Sequence, residues 1–101
     1  MKQEKWLSLL GLANRARKLV TGEDLVIKEI QKQRVYLVLI AKDASNNTLK
    51  TIMNKCNYYN IPVRQVSDRY TLGNSIGKEA RVVIGIKDKG FSEKIKQLRS
   101  E

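Results

Sequence analysis

The sequence of 101 residues contains no histidine, one cysteine and one proline. The absence of histidine excludes general-base catalysis by imidazole. A single cysteine excludes an intramolecular disulfide and a zinc site built from several cysteines. A metal would have to be held by carboxylates, which are scarce, at 10 Asp and Glu in total. We therefore expect no metal ion and no other cofactor.

Long apolar runs are also absent. The first ten residues, MKQEKWLSLL, lack the apolar stretch of a signal peptide, and no segment reaches membrane-spanning length. We expect a cytoplasmic protein with no membrane partner. Repeats, low-complexity segments and Pro/Gly/Ser-rich linkers are missing as well, so residues 1–101 are predicted to form a single domain.

Positive charge is in excess, with 20 Lys and Arg against 10 Asp and Glu and a formal net charge of +10. Such an excess favours a polyanionic partner, most commonly nucleic acid. Solubility alone, or an anionic membrane surface, would also account for it. Basic residues occur in all thirds of the chain, which indicates a charged folded surface rather than a disordered basic arm.

Apolar residues recur at helical spacing in four segments, which predicts a helix in each. The four apolar stripes are Trp6, Leu9, Leu10 and Ala13; Leu25, Val26 and Ile30; Leu49, Ile52, Met53 and Cys56; and Phe91, Ile95 and Leu98. The third of these helices is expected to start at residues 45–47. A brief fifth helix is expected from about Leu72 to Gly77.

The run VYLVLIA at 35–41 is rich in branched apolar residues and has no glycine or proline, which predicts a strand buried on both faces. A short strand is expected at 63–66, another buried strand at 81–86 and a small strand at the apolar pair just before Gly22. Alternating helices and strands predict an α/β fold. We expect a three-layer αβα sandwich with a small central mixed sheet of about four strands and about five helices.

The segment TGEDLVIKEI places two acids at a helix start in a basic chain. Thr21 and Asp24 have the spacing of a capping box, and Glu23 and Asp24 suit the positive end of a helix dipole, so both acids have a purely structural interpretation. The functional interpretation is that the free backbone N–H groups beside Gly22 meet an RNA backbone. Lys28, one turn further on, would then reach a phosphate or a guanine edge.

Four segments, in this order, resemble the kink-turn-binding ribosomal-protein family, which includes the archaeal large-subunit protein seven-Ae and the eukaryotic thirty-e protein. They are TGEDLVIKEI, VYLVLIAKDAS, the run IPVRQVSDRYTLGNSIG and KEARVVIGI. The likeness covers about residues 9–86, and the small bacterial members are nearest in length. It implies a non-catalytic RNA-binding protein that clasps a sharply bent RNA helix and acts as a monomer.

The resemblance implies that the start of the second predicted helix contacts RNA. Gly22 and Lys28 match the family motif, whereas Asp24 and Leu25 stand where the family has Asn and Glu. Those two family residues read the guanines of tandem sheared G·A pairs. Asp24 could still accept a hydrogen bond from a guanine amino group, but Leu25 could not.

The resemblance also assigns two later segments. Arg69 occupies a phosphate-contacting position, while Asp43 is expected to cap or brace a helix start. The loop of Lys78, Glu79, Ala80 and Arg81 aligns with the family loop beside the helix start. The predicted RNA-binding residues are therefore Gly22, Glu23, Asp24, Lys28, Arg69, Lys78, Glu79, Ala80 and Arg81.

Other candidates have a structural interpretation that weighs as much or more. Arg15, Arg17 and Lys18 form either a solvated face or a second phosphate-contacting patch near the same site. Trp6 and Cys56 are expected in the core, the latter as an inert thiol. The tyrosines at 58, 59 and 70 are expected to pack or to lie at the surface.

Three functions are compared. An RNA-binding module is favoured, with a kink-turn-containing RNA such as ribosomal RNA as partner, and with ribosomal or ribonucleoprotein components as further candidates. An assembly-factor adaptor acting through protein contacts is the alternative. An enzyme is disfavoured, because the sequence has no P-loop, no G-x-G-x-x-G turn and no paired catalytic carboxylates.

Overall fold

The structure is a computed structural model that describes residues 5–99. Its elements are α1 (Lys5–Arg15), β1 (Leu19–Thr21), α2 (Glu23–Gln31), β2 (Leu37–Ala41), α3 (Asn46–Tyr59), β3 (Val63–Val66), α4 (Arg69–Ser75), β4 (Val83–Ile86) and α5 (Lys89–Leu98). The predicted short strand before Gly22 is present as β1. None of the helices within the described range is long and apolar enough to cross a membrane.

The four strands form one mixed sheet in the order β1-β4-β2-β3. Strand β4 is antiparallel to both of its neighbours, β1 and β2, whereas β2 and β3 are parallel. Strands β1, β2 and β3 therefore run in one direction and end at the same edge of the sheet. We call this edge the upper edge and the opposite one the basal edge.

Alternating side chains of β2 supply two separate cores, one on each face of the sheet. Leu37 and Leu39 pack with side chains of α1, α4 and α5, while Val38 and Ile40 pack with side chains of α2 and α3. All five residues of β2 are buried. The predicted three-layer αβα sandwich, with five helices and four strands, is thus confirmed.

Trp6 and Cys56 lie in the two cores, as expected. Trp6 is 3% exposed, and the Arg99 guanidinium lies 5.0 Å from the centroid of its ring. Burial raises the pKa of the Cys56 thiol to about 11, so the thiolate is scarce near neutral pH and the side chain is inert.

Three residues assigned to apolar stripes are exposed instead. Leu25 is 56% exposed, and Met53 and Leu98 are each 41% exposed. Each lies at the margin of its stripe, and a helix laid on a sheet buries only the centre of that stripe. In α2 the buried pair is Val26 and Ile30, one turn apart.

Several boundaries also differ from the prediction. Helix α4 begins at Arg69 rather than near Leu72, because the Asp68 carboxylate caps it by accepting from the N–H groups of Tyr70 and Thr71. The strands predicted at 35–41 and 81–86 are each two residues shorter in the structure, since β2 begins at residue 37 and β4 at residue 83. The start of α3 after its N-cap Ser45 agrees with the prediction.

Candidate nucleic-acid interface

The upper edge of the sheet gathers three helix starts and one loop. Helices α2, α3 and α4 all begin there, since each follows a strand that ends at this edge, and the segment from α4 to β4 enters β4 from the same side. Between them lies a partly open depression of about 350 Å³. Its lining residues are Gly22, Glu23, Ser45, Thr48, Arg69, Ala80, Arg81, Val82 and Val83.

Gly22 forms the entrance to α2 in a backbone conformation that favours glycine, with φ 95° and ψ 142°. Its N–H donates to the carbonyl of Val83 at 3.1 Å, which fixes the helix start against β4. Among the residues that the structure describes, no side chain caps α2. The N–H groups of its first turn are therefore left for solvent or a ligand.

The expected capping box between Thr21 and Asp24 is wrong. Thr21 is the last residue of β1, and its hydroxyl accepts a hydrogen bond from Arg81 Nε at 3.3 Å. The Asp24 side chain is exposed and makes no hydrogen bond to other described residues. Asp24 is thus left with the helix dipole as its structural role, and its carboxylate points to no partner within the described chain.

Glu23 ties the starts of α2 and α3 together. Its Oε1 accepts from the hydroxyl of Thr48 at 2.9 Å, and the Thr48 hydroxyl in turn accepts from Ser45 at 3.1 Å. Ser45 also accepts from the Thr48 N–H as the N-cap of α3. Sequence patterns indicate a helix start at Ser45, but no local signal shows that Glu23 pairs across 25 residues.

Asp43 and Arg69 form an ion pair on this surface. The Nε of Arg69 lies 3.2 Å from Asp43 Oδ2, and its Nη2 donates to the Asp43 carbonyl at 2.7 Å. The backbone N–H of Arg69 donates to Asp43 Oδ1 at 3.1 Å. Asp43 does brace a helix start, as predicted, but that helix is α4 rather than the adjacent α3.

The loop at 78–81 lies directly against α4. The N–H of Arg81 donates to the carbonyl of Arg69 at 2.9 Å, and that of Lys78 donates to the carbonyl of Gly73 at 2.8 Å. A Cβ at Gly73 would lie 2.6 Å from the Cα and N atoms of Ala80. A side chain at position 73 would therefore displace this loop, which explains the glycine there.

Arg81 joins the loop to the start of α2. Its guanidinium donates to the Thr21 hydroxyl through Nε and to the Ala80 carbonyl through Nη1, the latter at 2.7 Å. The side chain is half-buried, so its position is fixed. The expectation that this loop lies beside the helix start holds, since Gly22, Ala80 and Arg81 line the same depression.

The predicted site residues fall into three groups. Those that line the depression are Gly22, Glu23, Arg69, Ala80 and Arg81. Those exposed around it, on α2 and on the loop, are Asp24, Lys28, Lys78 and Glu79. The third group is Arg15, Arg17 and Lys18, which lies at the basal edge, because the Lys18 carbonyl accepts from Lys87 N–H just after β4 ends. These three residues therefore do not lie near the depression, and their predicted phosphate contacts, if made, are made at the opposite edge.

Acidic and basic residues are equally numerous at the upper edge. Its segments 22–28, 42–45, 68–69 and 78–81 carry five acidic and five basic residues. Hydrogen bonds from the backbone N–H and the hydroxyl of Thr71 lower the pKa of Asp68 from its ordinary value, because they favour the ionised carboxylate. Within residues 5–99 no cluster of three or more His, Cys, Asp or Glu side chains could hold a metal.

The tyrosines take surface or packing positions, in line with the sequence. Tyr58 is 80% exposed and meets Tyr59 edge-on, with 4.8 Å between the ring centroids. Tyr59 packs against the core between the sheet, α2 and α3. Tyr70 is exposed on α4.

Several known proteins resemble this chain in sequence, in fold or in both. The ribosomal protein L7Ae/L30e/S12e/Gadd45 family matches residues 4–96. A Bacillus subtilis (strain 168) protein named RNA-binding protein YlxQ is 57% identical over 98 residues, which is 97% of this chain and 98% of that protein. A protein of the same name from Enterococcus faecium is 42% identical over 96 residues, covering 95% and 92% of the two chains.

Solved structures agree with this relationship. A protein of unknown function from Bacillus halodurans C superposes with a TM-score of 0.95 at 52% identity, covering 98% of this chain and all of the other. The 15.5kD RNA binding protein of Giardia lamblia superposes with a TM-score of 0.81 at 16% identity, covering 97% and 88% of the chains. At that identity the likeness extends to the fold alone.

Proposed function

The chain belongs to the ribosomal protein L7Ae/L30e/S12e/Gadd45 family, and from this premise we propose that it is a non-catalytic RNA-binding protein that recognises and stabilises kink-turns. RNA binding is the function named in its relatives from B. subtilis and E. faecium. The partner would be a kink-turn-containing RNA such as ribosomal RNA, with ribosomal or ribonucleoprotein components as further neighbours and the protein itself a monomer.

The observation that carries the proposal is the uncapped start of α2 facing the loop at 78–81. Gly22 has no Cβ, and even an added one would meet no atom within 4 Å, so a ligand backbone can approach closely here. The free N–H groups and the helix dipole favour an anion such as a phosphate. The depression is partly open to solvent, so the edge of a macromolecule can enter it.

The side chains proposed to contact RNA are of two kinds, those that would contact a base and those that would contact a phosphate. Asp24 is exposed and unpaired with other described residues, so its carboxylate can accept from the amino group of a guanine in a sheared G·A pair. Lys28, in the last turn of α2, and Lys78, on the loop, are exposed cations that would hold phosphates. Glu23 is instead engaged with Thr48 and positions α2.

The surface is held in place before RNA arrives. Thr48 links Glu23 to α3, Asp43 links α4 to the end of β2, and Arg81 links the loop to β1. Side chains fixed in this way lose little conformational entropy on binding. A protein that binds only the bent form of an RNA stabilises that form by mass action.

The test is binding of the purified protein to a kink-turn RNA at two salt concentrations, beside the same RNA with its sheared G·A pairs replaced by Watson–Crick pairs. We expect tighter binding to the kink-turn RNA at both salts. Asp24→Ala should reduce the preference, and Lys28→Ala should weaken binding and flatten its salt dependence. Lys94→Ala, at an exposed position on α5, is the matched control and should change neither.

Equal affinity for the two RNAs would contradict the proposal. It would mean that the net charge of +10 attracts RNA without selectivity. Glu23 and Asp24 would then have only structural roles at the helix start.

A further inference from the structure

The basal edge of the sheet carries a concentration of positive charge that the proposed site does not use. Three segments meet there, at 15–18, 32–36 and 87–89. The Lys87 N–H donates to the Lys18 carbonyl at 2.7 Å, and the Tyr36 N–H donates to the Ile86 carbonyl at 2.8 Å. The basic residues of these segments, all exposed, are Arg15, Arg17, Lys18, Lys32, Arg34, Lys87 and Lys89, which we call the basal basic surface.

This surface is almost unopposed by negative charge. Asp88 is the only acidic residue in the three segments, and its carboxylate is engaged as the N-cap of α5, where it accepts from Phe91 N–H. Within residues 5–99 none of the seven basic side chains forms an ion pair. The upper edge, by contrast, has as many acidic as basic residues. The excess positive charge of the chain is therefore concentrated away from the proposed kink-turn site.

Compensation of helix dipoles explains only part of the surface. Arg15 and Lys32 lie at the C-terminal ends of α1 and α2, where a cation is favourable. Lys87 and Lys89 flank the N-terminus of α5, whose first turn contains no acid, so the dipole disfavours both. A purely structural role does not account for these two lysines.

Arg17 occupies a position that backbone geometry would give to glycine. It follows α1 with φ 60°, and the Lys18 N–H bonds back to the carbonyl of Ala13 at 2.9 Å, the pattern of a helix-ending turn. A non-glycine residue in this conformation is strained, because its Cβ crowds the neighbouring backbone. An exposed arginine at the tip of such a turn is well placed to form bidentate hydrogen bonds with a phosphate.

The two edges are too far apart to act on one RNA contact. Strand β2 alone, with five residues, separates them by more than about 13 Å at roughly 3.3 Å per residue. The Debye length is about 8 Å at physiological salt, so basal charges are largely screened from phosphates at the upper edge. An anion held by the basal residues is therefore a different contact from a phosphate held at the upper edge.

We propose that the basal basic surface binds the phosphate backbone of a second RNA helix, so that one protein molecule bridges two RNA segments. The inference rests on the proposed RNA-binding function, and adds a second, sequence-independent contact to it. RNA is favoured over a membrane because the three segments present Tyr36 as their only large exposed apolar side chain, whereas surface binding to lipid needs a broad apolar face.

The experiment measures whether a protein that already holds one RNA recruits another. A kink-turn RNA carries a donor dye, and a plain RNA duplex without G·A pairs carries an acceptor dye. The basal variant combines Arg17→Glu, Lys18→Glu and Lys87→Glu. The control variant makes the same change in charge at Lys5, Lys50 and Lys94, which are exposed and lie outside the three segments.

We expect energy transfer with the wild-type protein and with the control variant. The basal variant should lose about tenfold or more in duplex affinity, and the salt slope of duplex binding should fall by roughly two to three, as for three lost phosphate contacts. Its affinity for the kink-turn RNA should change less than about twofold. Glutamine at the same three positions should act in the same direction, and serves if the glutamate variant unfolds.

Three outcomes would overturn the inference. They are no recruitment of the duplex by the wild-type protein, equal losses in the basal and control variants, and tighter binding to phosphatidylserine vesicles than to the duplex. A different measurement would contradict the proposed kink-turn function, namely equal affinity for the kink-turn RNA and for its Watson–Crick-paired counterpart. The comparison of basal and control variants on the plain duplex does not depend on that result.

Discussion

Asp43 holds Arg69 by three hydrogen bonds, one to the backbone N–H and two to the guanidinium. The pair joins the end of β2 to the start of α4, and the Arg69 carbonyl then accepts from the N–H of Arg81 in the loop. A basic residue expected only to touch phosphate therefore also supports the loop that faces α2. Its guanidinium retains an exposed side, so that both roles are compatible.

The pair should show measurable coupling in a double-mutant cycle of Asp43→Ala and Arg69→Ala. We expect a coupling free energy of about 1 kcal/mol or less from urea unfolding, since both side chains are more than one-third exposed and salt screens them. The pair Glu93–Lys96 on α5 is the matched control, and should give only a few tenths of a kcal/mol. Equal coupling in the two cycles would show that the contact between Arg69 Nε and Asp43 Oδ2 is worth no more than an ordinary surface ion pair within a helix.

Gly73→Ala should destabilise the fold and displace the loop at 78–81. The new Cβ would lie 2.6 Å from backbone atoms of Ala80, which cannot move aside as a flexible side chain could. We expect a loss of about 1–3 kcal/mol in unfolding free energy, together with weaker binding to the kink-turn RNA.

The control for this change is Asn74→Ala, at the next, exposed position of α4, which should shift stability by less than about 0.5 kcal/mol. If Gly73→Ala proves as stable as this control, the loop can retreat without cost and its seat on α4 is not required.

Asp68 should make α4 sensitive to acid. Its pKa is lowered in the folded protein, so the ionised cap stabilises the fold above the ordinary carboxyl pKa of about 4, and this stabilisation is lost as pH falls through the lowered value. Asp68→Asn keeps a capping side chain but does not titrate. The difference in Tm between wild type and variant, followed by circular dichroism, should shrink from pH 6 to pH 3. A constant difference over that range would contradict this assignment.

The layered fold was predictable because it depends on local patterns. The apolar run in β2 and the helical stripes specify buried faces, and the alternation of elements specifies the sandwich. The Thr21–Asp24 capping box was wrong because its local spacing competes with a tertiary contact, the bond from Arg81 to Thr21. The link between Glu23 and Thr48 likewise joins residues that only the folded sheet brings together.

The basal basic surface was missed for the same reason. Sequence spacing showed Arg15, Arg17 and Lys18 as one local cluster and gave no reason to separate them from the start of α2. Only the strand order places them beside Lys87, at the opposite end of the sheet. Which end of a strand a turn occupies depends on topology, and no periodicity in the turn itself reports it.

Leu25 offers the most direct test of how this chain reads RNA. It stands where the family motif has glutamate, and it is 56% exposed on the first turns of α2, beside Asp24. Leu25→Glu should therefore cost little stability and supply a second acceptor for a guanine amino group. We expect its preference for the kink-turn RNA over the Watson–Crick-paired RNA to rise about tenfold, the scale of one good base contact. Affinity for both RNAs should fall slightly at low salt, because the added charge repels phosphate.

Met53→Glu, at a 41% exposed position on α3, is the matched control and should lower both affinities without changing their ratio. If Leu25→Glu also leaves the ratio unchanged, position 25 does not face the bases, and the reading edge of α2 is confined to Gly22, Asp24 and Lys28.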